Sequence, residues 1–300
     1  MDDDDLAGLD EFALLPENAE QAGVDGPLQP VSRLDHGAVS ALKWGATPPR
    51  VVFLHGGGQN AHTWDTVIVG LKEPALAVDL PGHGRSGWRD DGDYGPIQNA
   101  ETLQPALREW APAADLFVGH SLGGLTAIRL ATSAPDLVRR LVLVDVTPSA
   151  PQRHVEMTDA QKGTVALIQG DRVFESFAAM VDVAVAAAPH RDRKSLRRGV
   201  FHNSKQLDDG TWTWRYDSFR KGDGYYSDFQ GLWDDVPALT IPATLVRGAN
   251  SAFVNDDDAD EFARTAPGFV GVQVVADSGH SVQSDQPRAL IDILRAVLDG

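Results

Sequence analysis

Short apolar runs recur along the chain, each closed by turn residues: 51–54, 76–80, 116–118, 141–146, 244–246 and 272–275. They show no alternation of apolar and polar positions. Such runs predict strands covered on both faces, as in a parallel sheet between layers of helices. Two earlier runs, 31–34 and 38–44, flank His36-Gly37 and predict a hairpin. Helical spacing falls between the runs. Residues 125–132 follow the third of them, 256–265 open with acids that suit the positive end of a helix dipole, and 288–298 place Leu290, Leu294, Val297 and Leu298 on one stripe. Strands alternating with helices predict an α/β fold, a doubly wound and mostly parallel sheet.

The alternation fails across 148–235. That stretch holds helix-like apolar segments (165–168, 173–185), a basic cluster (Arg191, Arg193, Lys194, Arg197, Arg198) and many aromatics: Trp212, Trp214, Tyr216, Phe219, Tyr225, Tyr226, Phe229 and Trp233. It is too long for a simple crossover between strands. It reads as an inserted, mainly helical lid over the C-terminal edge of the sheet, where open α/β folds bind ligands. The domain plan is then an α/β core over 31–147 and 236–300, the lid over 148–235, and an N-terminal arm over 1–30. The lid aromatics, Trp212 and Trp214 for example, are candidate substrate contacts, and the basic cluster reads as a solvated helix face.

Charge refines this picture. The formal net charge is −17, which argues against nucleic acid and anionic membrane surfaces as partners. Residues 1–30 hold nine acids (Asp2, Asp3, Asp4, Asp5, Asp10, Glu11, Glu17, Glu20, Asp25) and no Lys or Arg. They read as a flexible acidic arm with a short helix over 6–15. There is no cysteine, hence no disulfide, thiolate nucleophile or thiolate metal site. No secretory signal or membrane-spanning run is visible, so the cytoplasm is the expected location. The sequence calls for no metal and no cofactor, and it does not set the oligomeric state.

The candidate chemistry centres on Ser121. A strand run ends in Gly119-His120-Ser121-Leu122-Gly123 and a helix follows, which is the context of a nucleophile elbow. A serine hydroxyl needs a base, an acid that orients the base, and donors for a developing oxyanion. His280, just after the last strand run and before the terminal helix, is the candidate base. His120 touches Ser121 in sequence but should point away from it. His55 and His83 sit in other sheet-edge loops and read as supports of backbone geometry, while His154, His190 and His202 fall in the lid. The oxyanion donors are the backbone N–H groups of Leu122 and of Gly57 in Leu54-His55-Gly56-Gly57-Gly58. A phosphate-binding reading of that glycine loop lacks the required lysine and spacing.

Together His55-Gly56-Gly57-Gly58 with Trp64, Asp79-Leu-Pro-Gly-His-Gly-Arg-Ser86, Gly119-His-Ser-Leu-Gly123, Leu141-Val-Leu-Val-Asp145 and Ser278-Gly-His280 resemble the α/β-hydrolase superfamily, in its capped branch of serine esterases and lactonases. The resemblance spans the core; the lid and the arm match no pattern. It implies a triad acid a few residues after the penultimate strand, where this chain has Ser251 and Ala252 instead. Three readings are open. Asp145, at the end of the strand after the elbow strand, supplies the carboxylate. Asp256, Asp257 or Asp258 folds back. Or no acid is present and Ser251 or Asn250 orients His280. The first is preferred.

The expected activity is hydrolysis of a small, apolar ester or lactone through an acyl-enzyme on Ser121. Serine at the elbow argues against the haloalkane dehalogenases and epoxide hydrolases, relatives that carry Asp there. Two alternatives remain. One is a carbon–carbon bond hydrolase of a diketone-like ring-cleavage product, with an Arg of 191–198 gripping a carboxylate. The other is a catalytically weak, hydrolase-like protein that binds a small ligand.

Overall fold

The apolar runs become the strands of one sheet. In the computed structural model, which describes residues 6, 8–217, 229 and 231–300, eight strands form a sheet in the order β1-β2-β4-β3-β5-β6-β10-β11. They are β1 (Val31–His36), β2 (Val39–Trp44), β3 (Val51–Leu54), β4 (Ala75–Asp79), β5 (Leu116–His120), β6 (Leu141–Val144), β10 (Ala243–Gly248) and β11 (Phe269–Val275). The β1/β2 and β2/β4 pairs are antiparallel and the others parallel. Every residue of β3, β4, β5 and β6 is buried. Asp2–Asp5, Phe219, Tyr225 and Tyr226 lie outside the described residues.

One face of the sheet packs α1 (Leu15–Ala22), α2 (Asp65–Leu71) and the C-terminal helix Pro287–Asp299. The other packs α3 (Pro96–Trp110), α4 (Leu122–Ser133) and the helix Asp256–Thr265. The sequence pattern predicts no element over 96–110, yet α3 forms there with Pro105 inside it, where proline normally ends a helix. From β3 the chain moves to β4 on one side, then returns to place β5 on the other. The loops after β3 and β5 therefore open at a topological switch point.

Between β6 and β10 lie α5 (Ala150–Glu156), α6 (Asp159–Lys162), a 3-10 helix Gly163–Gln169, α7 (Phe177–Ala187) and α8 (Arg193–Asn203). A small antiparallel sheet, β7 (Val173–Phe174), β9 (Trp212–Trp214) and β8 (Ser204–Gln206), accompanies them. The single apolar segment expected over 173–185 is split, because the Ser176 side chain accepts from Ala179 N–H and starts α7 afresh. This segment meets the core at the β3 and β4 loops: Asn203 Nδ2 donates to Gly58 O, and Asp217 N–H to Gly82 O.

The acidic segment departs from its expected state. Residues 8–26 do not hang free, and their helix is α1 rather than 6–15. Pro16 starts α1, and Gly23 closes it at φ 71°. Leu14 is buried and α1 packs on α2. Glu11 pairs with Arg33 and Arg85, Glu17 with Arg197 and Arg198, and Glu20 with Lys194. The basic cluster is a solvated face only in part: Arg193 and Lys194 are exposed, but the Arg197 and Arg198 side chains are only 10% and 7% exposed. Each half of this contact looked solvent-bound because its counter-charge lies far off in sequence.

Candidate active site

Ser121 sits between β5 and α4 at φ 50°, ψ −121°, a backbone region that costs a non-glycine residue about 1–3 kcal/mol. The turn holds because its neighbours have no side chains. A Cβ on Gly123 would stand 2.3 Å from Leu54 O, and one on Gly119 would stand 2.5 Å from Gly124 Cα. Leu122 opens α4, so its N–H has no carbonyl partner within the helix.

His280 and Asp145 meet. His280 Nδ1 lies 2.7 Å from Asp145 Oδ2, and the pair is almost fully buried. Asp145 follows β6 at φ 53°, a second strained position. Gly248 N–H donates to its Oδ1 at 3.0 Å, and Ser251 Oγ to its Oδ2 at 2.5 Å. Ser251 in turn accepts from Phe253 N–H, which leaves its proton for the carboxylate. Burial pushes the Asp145 carboxyl up, and Ser251, Gly248 N–H and Arg247 pull against it. Burial holds the His280 imidazole down, hence neutral. With its Nδ1–H on Asp145, His280 presents Nε2 as an acceptor, buried and without a protein partner among the described residues. The Phe253 ring stacks on it at 3.6 Å, and His120 faces it at 4.6 Å between centroids. His120 Nε2 also reaches His280 O at 3.0 Å, tying the histidine loop to the elbow.

The other two acid readings do not match the geometry. Asp256 forms an ion pair with Arg247 and is 85% exposed. Asp258 caps its own helix and pairs with Arg153, and Asp257 is exposed. Ser251 does reach the candidate site, but its hydroxyl bonds the Asp145 carboxylate rather than the imidazole. Phe253 was missed in the sequence, since an aromatic two residues past a serine carries no signal of its own.

The glycine loop after β3 is held by neutral histidines. His55 accepts from Leu80 N–H at Nε2 and has Nδ1 2.8 Å from Gly56 O; His83 accepts from Gly58 N–H at Nε2. Burial lowers His55 to about 4 and His83 to about 3, which keeps them available as acceptors. Gly56 N–H donates to Gln59 Oε1. The flanking N–H groups are thus occupied, while Gly57 N–H has no partner among the described residues. A Cβ on Gly56 would lie 3.2 Å from Ser121 Cβ, which fixes how closely loop and elbow approach.

Two cavities adjoin. The first, about 150 Å³, is walled by Gly57, Gly58, Ile168, Trp214, Tyr216 and Gln283 among others. The second is walled by His280, Ser251 and Asp285, and the two share Gln21, Thr164, Arg191, Ser195 and Ser284. Trp214 therefore reaches a cavity wall beside the glycine loop. Trp212 does not; it packs edge-on against Phe177. Nearby, His62, Asp65 and His202 bring ligand-type atoms within 4.8 Å of one another. The His62 and His202 rings stack at 3.7 Å and 10°, so their in-plane lone pairs run parallel and cannot converge on one ion. His62 also spends Nδ1 on Asp65 and Nε2 on Glu11. Burial alone would lower its pKa; the Asp65 and Glu11 carboxylates hold it up at about 9.

Residues 51–293 match the model of the alpha/beta hydrolase family. The chain belongs to that family. This hydrolase is 68% identical over 299 residues to the esterase Rv0045c of Mycobacterium tuberculosis, covering 100% of this chain and 99% of the relative. A crystal structure of that esterase superimposes with a TM-score of 0.89 at 66% identity, over 98% of this chain and 99% of the other. A mouse sn-1-specific diacylglycerol lipase is 26% identical over 259 residues, 84% of this chain and 82% of the lipase. The structure of an E-2-(acetamidomethylene)succinate hydrolase shares the fold, with a TM-score of 0.76 at 24% identity over 91% of this chain and 100% of that one. Among the described residues, no helix is long and apolar enough to cross a membrane.

Proposed function

We propose that this hydrolase cleaves carboxylic esters, lactones included, through an acyl-enzyme on Ser121. The observation that carries the reading is His280, bound to Asp145 through Nδ1 and left with an unpartnered, buried Nε2. Ser121 Oγ attacks the carbonyl carbon and gives its proton to His280 Nε2. The carbonyl oxygen becomes an oxyanion, held by the N–H groups of Gly57 and Leu122. The carbon–oxygen bond then breaks as His280 returns the proton to the leaving alkoxide. Water, deprotonated by His280, attacks the acyl-enzyme, and Ser121 leaves with its proton restored. Asp145 keeps His280 in the required tautomer and steadies the imidazolium. Residues 148–235 act as the lid that selects the substrate. The esterase activity in the name of the 68% identical relative supports the reaction class.

The carbon–carbon hydrolase reading loses its support in the lid. Arg191 is engaged by Asp285, Arg193 by Asp182, Lys194 by Glu20, and Arg197 and Arg198 by Glu17, so each cation already faces a carboxylate of the chain. The binding-protein reading rested on a missing acid, and Asp145 fills that role in the proposed triad. The test is labelling by a fluorophosphonate. The parent should react rapidly and Ser121→Ala not at all; no labelling of folded parent protein between pH 6 and 9 refutes the proposal.

A further inference from the structure

Gln283 lies three residues beyond His280, in the single helical turn Val282–Asp285. Its side chain lines the 150 Å³ cavity beside Gly57 and Gly58, and the residue is only 1% exposed. Neither Oε1 nor Nε2 has a protein partner among the described residues. A buried primary amide left with all its hydrogen-bonding capacity is rare, because each unmade bond costs stability. On the side of the 148–217 segment the surrounding wall is mixed: Leu167, Ile168, Leu196, Val200 and Trp214 give it apolar surface, between polar groups such as Ser195 and Asn203. The cations on this wall are matched: Arg198 by Glu17, Arg191 by Asp285, and His62 by Asp65 and Glu11. The cavity therefore offers apolar surface, one amide whose oxygen and nitrogen both lack a protein partner among the described residues, and no uncompensated positive charge for an anion.

We propose that Gln283 is a substrate-binding residue that reads a second, uncharged oxygen in the acyl chain of the ester, a keto or hydroxyl oxygen several bonds from the reacting carbonyl. The assignment rests on the ester-hydrolase reading above. It places the acyl chain, rather than the alcohol, in this cavity for a mechanistic reason. His280 must hand its proton to the leaving alkoxide, so the alcohol belongs in the second cavity, whose wall includes His280. The first cavity touches the oxyanion loop instead and is left to the acyl group. A volume of about 150 Å³ is that of a cavity able to hold one benzene, so the chain it takes has on the order of six heavy atoms beyond the carbonyl carbon.

The experiment compares p-nitrophenyl 5-oxohexanoate with p-nitrophenyl hexanoate, which differ only by the distal oxygen, after subtraction of uncatalysed hydrolysis. The parent should favour the oxo-ester roughly tenfold in kcat/KM, chiefly through KM, the scale of one neutral hydrogen bond. The near-isosteric Gln283→Met should bring the ratio to about one, and Gln283→Glu is the second variant should the first fail to fold. A parent that cleaves both esters without preference, or a ratio that survives in the variants, overturns the Gln283 assignment and leaves the hydrolase reading intact. A parent that cleaves neither ester and is not labelled by fluorophosphonate overturns the hydrolase reading, and this inference with it.

Discussion

Ser251→Ala removes one donor from a buried carboxylate and leaves the rest of the proposed triad in place. Asp145 accepts from Gly248 N–H and Ser251 Oγ as well as from His280, and burial pushes its carboxyl toward the protonated form. Ser251 opposes that push, so its loss raises the pKa of the pair. A hydrogen bond to a charged group is worth about 1.5–3 kcal/mol, or roughly one to two pKa units. Turnover by the proposed route requires the ionised carboxylate with neutral imidazole, so the acid limb of kcat/KM should move up by that amount. Rates below the limb should fall about ten- to a hundredfold. This is well short of the roughly ten-thousandfold loss expected when the orienting charge itself is removed. The assay is hydrolysis of p-nitrophenyl hexanoate, corrected for background, from pH 4.5 to 8.5, with Ser251→Thr as the rescue that keeps the hydroxyl. An unshifted limb refutes the reasoning. A uniform loss at every pH would instead assign Ser251 to holding the Phe253 loop through its bond to Phe253 N–H.

Two further outcomes concern stability. His62 is raised to about 9 by Asp65 and Glu11, above its unfolded value, so its contribution is full below about pH 6.5 and disappears as pH rises through 9. The loss is on the order of 3 kcal/mol; Tm should drop between pH 6.5 and 9.5 in the parent and much less in His62→Gln, and equal drops would refute the assignment. Glu17→Ala removes the part-buried carboxylate that pairs with the buried Arg197 and Arg198, which costs about 3 kcal/mol, so Tm should fall by roughly 5 °C; a change under 2 °C would show the contact to be incidental.

The core was legible because its signals are local. Runs such as 51–54 and 141–146 need only their own apolar residues to announce a buried strand, and Gly123 is demanded by a backbone 2.3 Å from where its Cβ would be. The meeting of Asp145 with His280 could be argued from topology, since β6, β10 and β11 run parallel side by side and the loops after β6 and β11 leave the same edge. What stayed hidden depends on contacts between distant segments. Ser251 looked like a lost acid until its hydroxyl was seen on Asp145. Gln283 has no sequence mark at all, because an amide becomes informative only when nothing answers it.

The clasp between Glu17 and the two arginines also bears on how the chain assembles during synthesis. Its partners are separated by 180 and 181 residues, so Glu17 emerges long before Arg197 and Arg198 exist. At ordinary translation speeds that interval is roughly ten to forty seconds. Until then Glu17 lacks both arginines, whereas Glu11 can already meet Arg33 and Arg85. The nascent chain would thus close the Glu17 contact only once the segment over the sheet edge has been made.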